Sequence, residues 1–135
     1  MRILHTSDWH IGKRLMGRER LDEQSAALDE IVGICEREEV ELVLVAGDIF
    51  DTYLPSAEAE DLFFSKIKAM AGEDRAVLLI SGNHDDGVRL SAAAPLSEEL
   101  GFISSKCEKP LPINARRRVR PVRSSAGFAV FENDK

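Results

Sequence analysis

VELVLVAGD (residues 40–48) runs through Leu42, Val43, Leu44, Val45 and Ala46 without a polar break, stops at Gly47 and turns acidic at Asp48. A strand with one wet face alternates apolar and polar residues, whereas a continuous β-branched and Leu-rich run suits a strand buried on both faces. Residues 40–46 are therefore expected to form the central strand of a covered sheet, with Asp48 just past its carboxyl end.

Upstream, residues 21–39 set Leu21, Leu28, Ile31, Val32 and Cys35 at three-to-four-residue spacing among charges, the pattern of an amphipathic helix with an acidic outer face. Before it, residues 3–7 predict a short strand that halts at Asp8-Trp9-His10 and a loop containing Gly12 and Gly17. Downstream, Ser56 can cap a helix that follows Pro55, with Ala59, Leu62, Phe63, Ile67 and Met70 as its apolar stripe and Gly72 as its end. Residues 76–80 predict a third strand, which stops at Gly82-Asn83-His84-Asp85. Residues 88–100 are weakly helical and broken at Pro95; residues 102–104 predict a short strand. Beyond them, two short strands are expected around Ser124-Ser125-Ala126-Gly127, with Pro121 favouring an edge. This alternation argues for an α/β sheet with right-handed crossovers, in which ligands sit beyond the carboxyl ends of the strands. All three polar clusters fall at such ends.

The 135 residues, 44% of them apolar, suffice for one domain with a real core. The net charge of -6 is unevenly spread: residues 1–105 hold 10 Lys and Arg against 21 Asp and Glu, and residues 106–135 hold 8 against 3. An acidic body thus carries a basic, strand-rich tail. Cys35 and Cys107 are too few for a disulfide framework or a thiolate zinc site, so a reducing compartment and buried thiols are expected. No apolar run suits a signal peptide or a membrane span, and a cytoplasmic protein with no membrane partner is the expectation. Neither Gly-x-Gly-x-x-Gly nor a phosphate-loop Lys motif occurs, which disfavours dinucleotide and triphosphate folds.

Singly, each cluster has a plain reading, because Asp, Asn and Gly cap helices and make turns. Together they bring Asp-x-His, Gly-Asp and Gly-Asn-His to one edge of one sheet. Hard oxygen and imidazole donors of this kind suit manganese, magnesium, iron or zinc. Two cations about 3.5–4 Å apart would need a bridging carboxylate, and Asp48, from the central strand, is best placed to supply it.

Asp8-x-His10, Gly47-Asp48-x-x-Asp51 and Gly82-Asn83-His84-Asp85 resemble the first three motifs of the calcineurin-like metallophosphoesterases. HTSDWHIGK, AGDIFDT and GNHDDGVRLSAAAPL look like the SbcD-type nuclease branch of that superfamily, over residues 1 to about 105. The resemblance implies the N-terminal part of a metallophosphoesterase β-sandwich flanked by helices, starting βαβαβα. It implies two divalent metals, manganese foremost, with Asp8 and His10 on the first, Asp48 bridging and Asn83 on the second. His84 would contact the scissile phosphate or protonate the leaving oxygen. Asp85 is expected beside it as a catalytic helper that holds the His84 loop or its imidazole; Asp51 would orient a ligand or cap the next helix.

The family pattern continues with a further His and a late Gly-His-x-His, but this chain has only His5, His10 and His84. Residues 1–135 are therefore expected to be one metallophosphoesterase domain, incomplete at its C-terminus, with at most a weak or partial metal site. His5, mid-strand, is expected to be a buried structural imidazole. Arg116, Arg117, Arg118, Arg120 and Arg123 suit phosphate contacts to DNA, or else a solvated edge strand.

The resemblance implies a metal-dependent DNA nuclease subunit that acts on double-strand ends and hairpins in repair and recombination. Its partners would be DNA, an SbcC-like coiled-coil ATPase and a second copy of the chain. The alternatives are a small-molecule or protein phosphoesterase, or a catalytically inactive fragment that binds DNA or a partner.

Overall fold

A computed structural model describes residues 1–92, 102–105, 118–125 and 127–134. Four strands, β1 (Ile3–Thr6), β2 (Leu42–Ala46), β3 (Ala76–Ile80) and β4 (Phe102–Ser105), form one parallel sheet in sequential order. Successive strands are joined through α1 (Leu21–Arg37), α2 (Ala57–Ala71) and α3 (Gly87–Ala92). The α/β expectation holds. The predicted helix over residues 88–100 is described only as far as Ala92, and Cys107, Arg116 and Arg117 lie outside the described residues. A separate antiparallel hairpin, β5 (Val119–Ser125) and β6 (Phe128–Asn133), turns at the predicted position and shifts register between Pro121 and Arg123.

β2 lies between β1 and β3, paired Leu4 to Val43 on one side and Val43 to Val77 on the other. Its side chains alternate between two cores, which is why its sequence shows no polar break. Val43 and Val45, with Val77 and Leu79 of β3, join Leu28 and Cys35 of α1 and Phe63, Ile67 and Met70 of α2 in the larger core. Leu42 and Ala76 face the other way, against Val119 and Phe131 of the hairpin. The hairpin thus begins a second layer on the sheet face opposite the helices.

The helices end as their sequences dictate. Ser56 Oγ accepts from the Ala59 N–H, 3.2 Å away, and Gly72 ends α2 with φ of 51°. α1 has no side-chain cap, but Asp22 and Glu23 sit in its first turn, where acidic groups meet the positive end of the helix dipole. Arg75 joins α1, α2 and β2: its guanidinium donates to the carbonyls of Val40 (2.7 Å), Met70 (2.5 Å) and Cys35 (3.2 Å) and pairs with Glu36. Cys35 is fully buried, and burial pushes its thiol pKa up.

His5 departs from expectation. It is exposed, because β1 is an edge strand whose His5 side lies on the face away from the helices, beyond the described cover of the hairpin. A short strand's sequence does not reveal which of its faces is covered.

Candidate metal centre

The polypeptide leaves β1 and β2 in two loops laced side by side. Asp8 N–H donates to Gly47 O (3.1 Å), His10 N–H to Asp48 O (3.0 Å), Ile11 N–H to Ile49 O (2.9 Å) and Asp51 N–H to Ile11 O (3.2 Å). Parallel pairing thereby continues past the strand ends, through a bridge between Ile11 and Phe50. Asp8, His10 and Asp48 all adopt left-handed backbone, at φ of 57°, 45° and 48°. Such conformations are uncommon and costly in residues with a Cβ, and they concentrate at functional sites. The strain thus falls on the three residues whose side chains meet.

Asp8, His10 and Asp48 each offer a ligand atom within 4.8 Å of the others. His10 Nε2 lies 3.9 Å from Asp48 Oδ2, and His10 Nδ1 lies 3.2 Å from Asp51 Oδ1. Nδ1 is buried without an aligned hydrogen-bond partner. Two carboxylates and an imidazole are hard oxygen and borderline nitrogen donors of the kind that fit one divalent cation. Close packing is built in. A Cβ on Gly82 would stand 2.2 Å from Asp48 Oδ1, and one on Gly47 would stand 3.0 Å from Gly82 Cα, so the second and third loops touch only because both positions are glycine.

The third loop delivers His84 to this cluster. Its N–H donates to Asp48 Oδ1 (3.1 Å), its Nδ1 lies 3.3 Å from Asp51 O, and its ring stands edge-on to that of His10 with centroids 5.3 Å apart. Asn83 is exposed beside it, and its carbonyl accepts from the Tyr53 hydroxyl at 2.6 Å.

Asp85 differs from the expected catalytic helper. It is 5% exposed and accepts three main-chain hydrogen bonds, from Ile49 N (3.1 Å), Phe50 N (2.8 Å) and Gly82 N (2.8 Å). Its carboxylate therefore ties the second loop to the third and supports His84 through the backbone rather than through the imidazole. Asp51 caps no helix, since Ser56 does that; its carboxylate faces His10 and, 3.8 Å away, Lys13 Nζ.

Three contributors were missed from sequence. Gln24 of α1 donates to His10 O (2.8 Å) and accepts from Gly12 N (3.0 Å), clamping the first loop onto the helix. Tyr53 and Lys13 approach from the loops. A polar residue on the inner side of α1, near the stripe begun by Leu21, was the only signal for Gln24.

The described arginines are largely engaged: Arg120 pairs with Asp134, and Arg123 lies over the Phe128 ring at 5.8 Å. Arg118 is exposed, at the strand-start end of the sheet, next to Val119 on Leu42 and Ala76.

Comparison with known proteins agrees with this geometry. The profile of a family described as calcineurin-like phosphoesterase matches residues 1–132. The chain is 50% identical over 103 residues to a Bacillus subtilis protein named as the SbcD component of the nuclease SbcCD, covering 76% of the chain and 26% of that relative. It is 41% identical over 134 residues to a Rhodobacter capsulatus protein of the same name, covering 94% of the chain and 32% of the relative. The chain therefore spans about a quarter to a third of the length of these curated relatives.

Proposed function

Since the chain belongs to the calcineurin-like phosphoesterase family, we propose that it supplies the first metal-binding portion of an SbcD-type nuclease, a metal-dependent hydrolase of DNA phosphodiesters. The observation that carries this reading is the convergence of Asp8, His10 and Asp48 in strained backbone, with His84 held against Asp48 by its own N–H. Asp8, His10 and Asp48 would hold one divalent cation. Asp48, whose two oxygens face His10 on one side and the Asn83-His84 loop on the other, would share a second with Asn83. When bound, the cations would supply Lewis acidity to the phosphoryl group and make a water acidic enough to ionise near neutral pH. The donor set is compatible with manganese, magnesium, iron or zinc.

The residues divide the remaining work. The exposed His84 ring would give its proton to the leaving oxygen, which is within the reach of imidazole chemistry near pH 7. Asp85 holds the loop that presents it. By the names of its relatives, the chain would act as one component of a larger nuclease, with an SbcC-like partner and DNA; that this partner is a coiled-coil ATPase, and that the chain pairs with a second copy of itself, are what the family resemblance adds to the reading. A cytoplasmic setting accords with the reducing-compartment cysteine usage. Among the described residues no helix is long and apolar enough to cross a membrane.

Manganese-dependent cleavage of linear duplex and hairpin DNA by the full-length protein tests this reading, and it predicts cleavage that weakens steeply with added salt. A second reading, a small-molecule phosphodiesterase, draws on the pairing of Arg120 with Asp134 and the stacking of Arg123 on Phe128. It predicts hydrolysis of bis-p-nitrophenyl phosphate that ignores salt, with duplex DNA left intact.

A further inference from the structure

We propose that Asp51 is the positioning residue for His10: its carboxylate accepts a hydrogen bond from Nδ1–H and so keeps the unprotonated Nε2 turned toward Asp48. This deepens, and rests on, the metal-site reading above. Three observations carry it. His10 Nδ1 is buried, and the nearest carboxylate oxygen is Asp51 Oδ1 at 3.2 Å. The opposite ring nitrogen, Nε2, is the one that faces Asp48, 3.9 Å from Oδ2. Among the described residues the Asp51 carboxylate otherwise meets only the ammonium of Lys13, 3.8 Å away: the cap of α2 is Ser56, and the Asp51 N–H that pairs with Ile11 O belongs to any residue but proline.

An imidazole that is to ligate through one nitrogen must carry its proton on the other, and the acceptor of that proton fixes both tautomer and ring direction. The ring torsion of histidine is broad, so a small rotation brings Nδ1–H into line with Oδ1. Lys13 Nζ, 3.8 Å from the same oxygen, offsets part of the charge that Asp51 adds beside Asp48. Asp51 also lies against the second histidine, but there through its main-chain carbonyl, 3.3 Å from His84 Nδ1. Replacing the Asp51 side chain should therefore reach His10 and spare His84.

That asymmetry supplies the test. Side-chain nitrogen NMR on the metal-free chain, at about pH 8 and thus above the ordinary imidazole range, should show His10 protonated on Nδ1 and bare on Nε2. In Asp51→Ala, His10 should become a mixture of tautomers while His84 keeps its signature and the exposed His5 serves as reference. Calorimetric titration with manganese should show affinity falling about 10- to 100-fold in Asp51→Ala. Asp51→Asn, whose amide oxygen still accepts from Nδ1–H, should keep the tautomer and most of the affinity, and it carries the test if the alanine variant fails to fold. A proton on Nε2 of His10 in the unaltered chain would overturn the proposal. So would an Asp51→Ala variant with unchanged tautomer and affinity, or an Asn variant as damaged as Ala. If manganese fails to bind the unaltered chain while the tautomer results hold, the metal-site reading fails and the Asp51–His10 contact stands.

Discussion

His84 presents its N–H to Asp48 Oδ1 and leaves its ring exposed, whereas its neighbour Asp85 is buried and spends its carboxylate on three main-chain donors. Replacing each should therefore fail differently. His84→Ala keeps the backbone contact with Asp48, so manganese affinity should stay within about twofold while turnover falls by about 10²–10⁴, the usual worth of a positioned acid or base; titration and phosphodiester hydrolysis on one preparation would check the split. Asp85→Ala strands the N–H groups of Ile49, Phe50 and Gly82 inside the protein, at about 1–3 kcal/mol for each donor left unmet. Urea denaturation should show that loss, and manganese affinity should fall with it because Asp48 is adjacent to two of the freed donors. The convergence of Asp8, His10, Asp48 and His84 was legible in sequence, because donor-bearing residues directly after three apolar strands of one parallel sheet must come to the same edge. The task of Asp85 was not. An acidic residue in a polar loop gives no sign that three backbone donors, two of them more than thirty positions away, converge on it.

Among the elements, the four parallel strands and the two long helices stood within one or two residues of their predicted limits, since their apolar periods and the Ser56 and Gly72 boundaries are local signals. What joins them was hidden. Arg75, one residue before β3, reaches the last carbonyls of α1, the end of α2 and the residue Val40 ahead of β2. In sequence it is one more charge in a Glu-Asp-Arg turn. Arg75→Ala should deprive the carbonyls of Met70 and Val40 of the guanidinium in a part-buried setting, whereas that of Cys35 keeps the Val40 N–H at 3.0 Å, and a destabilisation of about 2–4 kcal/mol is expected in chemical denaturation. Arg75→Lys should recover only part of it, because an ammonium cannot reproduce the planar fork that serves three carbonyls at once. Gln24 escaped notice for a related reason: the helical period places it on the inner side of α1, but its contacts cross to the His10 loop, and nothing local says that it meets main chain there.

Among the described residues the molecule rests on two cores of unequal size, one on each face of the sheet, and the candidate metal centre is flanked by only one of them. The larger core packs Ile11, Ile49 and Phe50, the residues that flank the site loops, against α2. The smaller joins Leu42, Ala76 and Val119, with Leu44 and Phe131 at its edge, near the starts of the strands and so at the far end from Asp8, His10 and Asp48. Glu41 reinforces that end: its carboxylate accepts from the Arg2 N–H and from the Asn133 side-chain amide, tying β6 to the N-terminus. This division predicts that the hairpin can be loosened without disturbing the site. Phe131→Ala removes part of a half-buried aromatic side chain, at about 2 kcal/mol of apolar burial. Hydrogen exchange should then show the main-chain amides of β5 and β6 losing protection while those of β2 and β3 retain theirs. Manganese affinity, measured in parallel, should be unchanged, because among the described residues the hydrogen bonds that order the three site loops come from those loops themselves, α1 and α3, and none comes from the hairpin. A parallel fall in affinity would mean that the two faces of the sheet are mechanically coupled through β2, whose alternate side chains belong to both cores.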